Sequence, residues 1–510
     1  MFRMRFLLLA LLVSCATKYD PARTYKLTIL HTNDHHGRFW ASRDAEWGLA
    51  ARATLIAQQR REIEDNGGKV LLLDAGDVNT GVPQSDMLDA EPDFIGMSRL
   101  KYDAMAVGNH EFDNTLETIR RQERWAGFPF LSANIYDSRT GQRLFRPYLI
   151  KDVAGLKVAI LGLTTEDTAL KSSLGARTEF RFDNPVGEAA KLVPELRRQA
   201  QVVIALTHMG HYPNESHGED APGDVTLARK VPGINVIVGG HTQLPLFKAD
   251  VQNGAAIVQA HEWGKYVGRV DLEVTGDKVR LVSYRLIPIN HKGTSERINE
   301  DAGMLSVLRP FQERGQKNLQ VKVGHTGEIL KGDRDTVRSG ETNLGNLITE
   351  AYRAKFNADL AVTNSGGIRD SIPAGDVTYE QVLTVLPFGN DVVTAKLTGR
   401  QLRSYLAELF STANPGSGAF PQFAGIEAVY RRGAKRFDKL MIGGKKIDPR
   451  RTYMIALPSF IAGGGDRYPT LKNLVAYGYT DAAILREFFE KHSPLAAGHH
   501  GPFHRIKYLP

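Results

Sequence analysis

Lys69-Val70-Leu71-Leu72-Leu73-Asp74-Ala75-Gly76-Asp77 passes straight from an apolar run into a polar, glycine-bearing turn. A short run of Val and Leu with no polar alternation suits a strand buried on both faces, with helices around it. Outward from this stretch the same layout recurs. Residues 26–30 end at the polar cluster holding Asp34-His35-His36, and residues 103–107 end at Gly108-Asn109-His110. Residues 157–163 end at Thr164-Thr165, residues 202–206 at Thr207-His208, and residues 234–238 at Gly239-Gly240-His241. Between the first two runs, residues 48–64 have helical spacing, with Leu49, Ala53, Ile56 and Ala57 on one face. The expected class is α/β with buried sheets. In such layered proteins ligand sites gather just past the C-terminal ends of strands. Five of these runs carry Asp, His or Asn there.

The chain has 510 residues, too many for one small core, so at least two cores are expected. A hydrophobic fraction of 42% and a charged fraction of 24% exclude a disordered or collagenous chain. No apolar run after residue 20 approaches the ~20 residues of a membrane span, which excludes a multi-pass membrane protein. The formal charge of +8 includes Arg3 and Arg5 of the leader. The remaining surplus is diffuse and lacks the basic stripe of a nucleic-acid polymer binder, though it could help collect anionic substrates.

The leader itself reads as an export signal. A basic start precedes a short apolar stretch over residues 6–13, and Ser14-Cys15-Ala16 follows. Leu12-Val13-Ser14-Cys15 resembles a bacterial lipobox, which implies removal of residues 1–14 and a lipid on the Cys15 thiol. Cys15 is the one cysteine in the sequence, so stability must come from the cores and any bound metal. The expected location is the periplasm or cell envelope, with outer-membrane anchoring through that lipid as the sole membrane contact.

Farther along, residues 264–289 read as a hairpin around Thr275-Gly276-Asp277, and residues 300–320 as a polar connecting helix. A second pattern starts near residue 325. A helix is expected over 344–356, and a strand over 358–367 feeds a glycine loop. A Thr398/Gln401 capping box precedes a helix carrying Leu402, Leu406 and Leu409. Residues 451–460 form another strand, ending at the loop that holds Asp466, and 484–492 a closing helix. In this half Arg334 and Arg338 lie four apart, and Arg369 follows Asn364-Ser365-Gly366-Gly367. Guanidinium groups match phosphate oxygens bidentately. Phe388 and Phe460 offer two aromatic faces for a nucleobase, and stacking contributes about 1–3 kcal/mol per base.

Five motifs carry the chemistry of the first half: Asp34-His35-His36, Gly76-Asp77, Gly108-Asn109-His110-Glu111, His208 and Gly240-His241-Thr242-Gln243. Carboxylate, imidazole and amide oxygen are ligand types for zinc, manganese and similar ions. Two ions ~3.5–4 Å apart, bridged by one carboxylate, can grip both the attacking and the leaving oxygen of a phosphoryl transfer. A lone Asp after a strand is a turn former. The ordered set of five is what carries the signal.

In that order the motifs resemble those of the calcineurin-like metallophosphoesterases. The second-half motifs narrow the resemblance to the bacterial periplasmic 5'-nucleotidase and UDP-sugar hydrolase family, over residues 26 to about 490. The resemblance implies a four-layer α/β metallophosphoesterase domain (25–299), a connecting hinge helix (300–325) and a second α/β substrate-binding domain (326–510). It implies two divalent ions, zinc foremost, with manganese or cobalt as alternatives. Asp34, His36 and Gln243 would bind the first ion and Asn109, His208 and His241 the second, with Asp77 bridging. His110 and Asp113 would form a dyad beside a metal-bound water or hydroxide. Arg334, Arg338 and Arg369 would hold the substrate's anionic groups, Phe388 and Phe460 would clamp the base, and Asn390 and Asp466 would bond base or ribose. Domain rotation would close the site. The implied function is an exported, monomeric phosphohydrolase acting on 5'-nucleotides and UDP-sugars. A 2',3'-cyclic nucleotide phosphodiesterase with 3'-nucleotidase activity shares the metal set. A non-catalytic surface nucleotide-binding protein would keep the fold, but has no use for the dyad. His35 is expected not to be a ligand, His211 and His217 to lie on solvated loops, and His499-His500 to form a surface tail. His261 has no assigned role.

Overall fold

The computed structural model describes residues 19–42, 45–171, 179–213, 223–291, 294, 296–412 and 414–510. The leader with Cys15, and His217, lie outside them. Two six-stranded sheets form the first half. In one, the strands Thr24–Thr32, Lys69–Asp74, Ala104–Ala106 and Phe130–Leu131 run parallel, and the long hairpin Tyr266–Thr275/Lys278–Pro288 pairs antiparallel along Thr24–Thr32. In the other, Leu156–Thr164, Val202–His208, Val236–Val238 and Ala255–Val258 run parallel, edged by Tyr148–Val153 and Asp250–Gln252.

Alternate side chains explain the layering. Leu27, Ile29, Leu71 and Leu73 of the first sheet share one core with Val158, Ile160, Val202 and Ile204 of the second. The opposite residues, Leu30, Leu72 and Met105, pack under helices Leu49–Asp65 and Glu91–Arg99. Ala159, Leu161, Val203 and Ala205 pack under helix Pro185–Gln199. This gives helix, sheet, sheet, helix: the four layers expected. On helix Leu49–Asp65 the buried face includes Arg52, Leu55, Ile56 and Ile63, whereas Ala57 is exposed. Alanine is too small to mark a face by itself.

The second half is a five-stranded mixed sheet in the order Pro421–Ala424, Leu360–Asn364, Thr452–Pro458, Asp391–Thr398, Val475–Thr480, with a core on each side. Helices Asn343–Phe356, Gly399–Thr412 and Asp481–His492 fall where spacing placed them. The capping box is present, with Thr398 N donating to Gln401 Oε1 (2.9 Å) and Gln401 N to Thr398 Oγ1 (3.4 Å). Helix Ala302–Leu319 is not polar all round: Met304 and Leu308 are buried in the first-half core. Two expected surface histidines are buried. His211 Nε2 lies 2.9 Å from Asp250 Oδ2. His500 is tucked under the terminal segment, its carbonyl accepting from Asn346 Nδ2 (2.8 Å), and Ile506–Leu509 then adds a strand to a second, four-stranded sheet. No helix among the described residues is long and apolar enough to cross a membrane.

Candidate active site

The strand-end loops of both N-terminal sheets converge at one point, and they do so through unusual backbone. Asp34, His36, Asp77, His241 and Gln243 all have positive φ, between 49° and 74°. Non-glycine residues rarely adopt this conformation, and it clusters where side chains must be aimed off a strand end. The loops are laced together: Asp34 N donates to Gly76 O (2.9 Å), His36 N to Asp77 O (3.0 Å), and Trp263 N to Asp34 O (2.7 Å). Gly108 admits a close approach, since a Cβ there would lie 2.2 Å from Asp77 Oδ1.

Two groups of ligand-type atoms meet at Asp77. Asp34, His36 and Asp77 form one and Asp77, His208 and His241 the other, with atoms in each group within 4.8 Å of one another. The histidines are oriented from behind. His36 Nδ1 donates to Thr80 O (2.8 Å) and His208 Nδ1 to Ala75 O (2.7 Å), so both Nε2 atoms face the cluster. Gln243 brings its amide 2.8 Å from His36 Nε2, and Asn109 Oδ1 lies 2.9 Å from His241 Nδ1. All seven expected ligand residues are therefore together.

This donor set fits divalent cations. Asp34 Oδ1 is buried with no hydrogen-bond partner. His208 Nε2 is 2.9 Å from Asp77 Oδ2 but is not aligned as a hydrogen bond to it. With Nδ1 donating to Ala75 O, His208 aims Nε2 at that carboxylate, an arrangement that calls for a proton or a cation between them. The electrostatics carry the same message. Burial pushes the Asp34 carboxyl up to about 7, with His208 opposing. Burial also acts against an ionised Asp77, but His208 and His110 reverse it and hold Asp77 well below the usual range.

Beside the cluster, His110 Nδ1 meets Asp113 Oδ2 at 2.6 Å, and the His110 ring lies 5.1 Å from His36. Burial pulls His110 down, yet the Asp113 and Asp77 carboxylates outweigh it and raise it to about 9. Glu111, a motif residue to which the resemblance gives no role, supports the whole turn. Its carboxylate accepts from the backbone N–H groups of Asp77 (3.1 Å), Val78 (2.9 Å), Asn79 (3.3 Å) and Gly108 (2.7 Å). Its position directly after His110 was the available signal. His261 also gains a place: its Nδ1 donates to Gln243 O (2.8 Å), and its own carbonyl accepts from Asn33.

From the second half, Phe388 stacks on His110 with ring centroids 5.8 Å apart and planes 16° apart. The Arg369 guanidinium sits 5.6 Å from the same phenyl centroid. A cleft of about 210 Å³ opens here between the halves, lined by Asp113, Asn114, Thr80, Phe388 and Gly389 among others. Burial, then Arg334 and Arg369, hold Arg338 below its ordinary value, and burial and Arg334 do the same for Arg369. Such crowding of cations fits an anionic ligand. Asn364 Nδ2 donates to Asp466 Oδ2 (2.6 Å), and Phe460 lies against Gly465, where a Cβ would meet its ring at 2.6 Å. Asn390 faces Asp481, with its Nδ2 3.3 Å from Asp481 Oδ2.

Residues 27–245 match the calcineurin-like phosphoesterase family and residues 322–473 the 5'-nucleotidase C-terminal domain. The chain is 48% identical to a 5'-nucleotidase of Vibrio cholerae, over 98% of this chain and 97% of that protein. It is 48% identical to the protein UshA of Escherichia coli, over 94% of each. In structure it resembles the 5'-nucleotidase precursor of Thermus thermophilus, with TM-score 0.72 and 30% identity over 95% of this chain and 99% of that one. Identity near one half across almost the full length, on a fold that brings these strand-end loops together, places the chain in the 5'-nucleotidase family of two-domain metallophosphoesterases, a family of hydrolases.

Proposed function

We propose that the chain is an exported, monomeric, metal-dependent phosphohydrolase that releases phosphate from 5'-nucleotides and cleaves UDP-sugars. The observation that carries this reading is the pair of Asp/His groups sharing Asp77, with the His110–Asp113 dyad alongside and Phe388 of the second half against it. In this reading Asp34, His36 and Gln243 hold one ion, Asn109, His208 and His241 the other, and Asp77 both. Zinc is the first choice, with manganese and cobalt as substitutes. When bound, such ions activate water and neutralise charge building on the phosphoryl oxygens.

The chain's own residues do the rest. His110, kept protonated by Asp113, donates toward charge developing on the phosphoryl or leaving oxygen. Arg334, Arg338 and Arg369 hold the substrate's anionic groups, Phe388 and Phe460 take the base, and Asp466 bonds the base or ribose. Asn390, whose Nδ2 lies 3.3 Å from Asp481 Oδ2, bonds the base or ribose alongside Asp466. Residues up to 299 supply the metals and those from 326 grip the substrate. The helix between them acts as the hinge on which the halves close. Retention in the envelope rests on the lipobox-like segment at Cys15, and mass spectrometry of the mature N-terminus would show a diacylglycerol adduct there.

Phosphate release from AMP, from UDP-glucose with added phosphatase, and from 2',3'-cyclic AMP tests the reading. The soluble chain is run with manganese, cobalt or zinc, and with EDTA. Metal-dependent, EDTA-sensitive turnover of AMP and UDP-glucose is expected. Turnover of the cyclic nucleotide alone would replace it with the phosphodiesterase reading, and nucleotide binding without turnover would reduce the chain to a binding protein.

A further inference from the structure

Arg52 is fully buried, on a helix whose other inward residues are apolar or small. A guanidinium in such a place is costly, and an apolar side chain of similar volume would serve packing as well or better. Its contacts show what it holds. Nη2 donates to His35 Nδ1 (3.0 Å), and His35 Nε2 lies 2.9 Å from Asp93 Oδ1, whose Oδ2 accepts from Ser85 Oγ (2.5 Å). Accepting from Arg52 at Nδ1 leaves the His35 proton on Nε2, in close contact with Asp93 but not aligned as a hydrogen bond to it. His35 is the residue between Asp34 and His36, so clamping its ring fixes the peptide that carries both.

A second branch leaves the same guanidinium. Nη1 reaches Tyr102 Oη (3.5 Å), Tyr102 Oη lies 2.8 Å from Thr32 Oγ1, and Thr32 Oγ1 donates to Asp74 Oδ2 (2.6 Å). Asp74 Oδ1 accepts from Gly76 N (2.9 Å), directly before Asp77. A third loop closes over the group: a Cβ on Gly264 would lie 1.9 Å from Arg52 Nη2. Trp263, next to Gly264, donates its N–H to Asp34 O.

We propose that Arg52 is a positioning residue for the metal centre: one buried guanidinium ties the Asp34–His36 loop, the Asp74–Asp77 loop and the 263–264 turn into a single rigid seat for the ions. The inference rests on the metal reading above. Groups behind a metal ligand typically change metal affinity about 10–100-fold when altered.

The test is manganese binding to the full chain, followed by the electron paramagnetic resonance signal of free Mn²⁺, alongside AMP turnover. Arg52→Lys keeps the charge and loses the fork. Tyr102→Phe removes one hydroxyl and keeps the shape, so it stays folded if the lysine variant does not. Leu55→Ala, on the same helix and outside the network, is the control for simple destabilisation. Weakening of Mn²⁺ binding by at least about tenfold for Arg52→Lys and about threefold for Tyr102→Phe is expected, with Leu55→Ala within twofold of wild type. Wild-type affinity in Tyr102→Phe and in a folded Arg52→Lys would overturn the proposal, as would an equal loss in Leu55→Ala. Failure of the wild-type chain to bind Mn²⁺ or hydrolyse AMP would instead overturn the metal reading on which it rests.

Discussion

The dyad is where chemistry is most exposed to a single change. His110 holds its proton because Asp113 and Asp77 face it, and its ring has Phe388 on one side. His110→Ala is expected to lower kcat for AMP by about 10²–10⁴-fold. The KM should change far less, because the arginines and Phe460 remain. Steady-state kinetics with saturating manganese checks this, and a near-normal kcat would remove His110 from the mechanism. The fold brings the candidate ligand residues together, and they were legible in the sequence through the ordered set of five motifs and its resemblance to a known family. Glu111 and Arg52 were not. A carboxylate that accepts four backbone N–H groups looks in sequence like any surface Glu. A buried Arg breaks the rule that such residues stay in water.

Among the elements, helix Asp481–His492 tests how a buried carboxyl is tolerated. Asp481 is its first residue and is buried, and burial pushes its carboxyl up to about 7 against the pull of Ala482 N and Asn390. A folded value above the ordinary one means a stabilising contribution that is complete below about pH 4 and lost as pH rises towards 7. Asp481→Asn does not titrate. Its melting temperature relative to wild type should therefore rise between pH 4 and pH 8, and a constant offset across that range would refute the assignment. The strands were easily read because five-residue runs of Val, Ile and Leu have one sensible use in an α/β chain. Helix faces were read less well. Ala57 faces solvent on Leu49–Asp65, and the connecting helix hides Met304 and Leu308 behind a polar composition. Composition averages over a helix, whereas packing selects one stripe of it.

Across the whole molecule, the halves meet through defined side-chain contacts. Glu380 accepts from Gln84 of the first half (2.7 Å) and from Gln320 just past the connecting helix (2.7 Å), at the start of the short helix that leads to Phe388. Phe388→Ala removes the aromatic face that the second half presents at the dyad. It should raise KM for AMP and UMP alike by about tenfold, as expected for losing one sequence-tolerant stack. Isothermal titration with product nucleosides would show the same loss, and an effect on one base only would argue for a different role. The division into two chemistries was legible, but the meeting of Phe388 with His110 was not, because no local pattern records a contact between loops so far apart in the chain. The left-handed backbone at Asp34, His36, Asp77, His241 and Gln243 has a consequence for evolution in the laboratory. Each non-glycine residue held there carries about 1–2 kcal/mol of strain that glycine would relieve. Selection for heat resistance alone, with no demand for turnover, should therefore erode these five positions early and yield hardier, inert descendants.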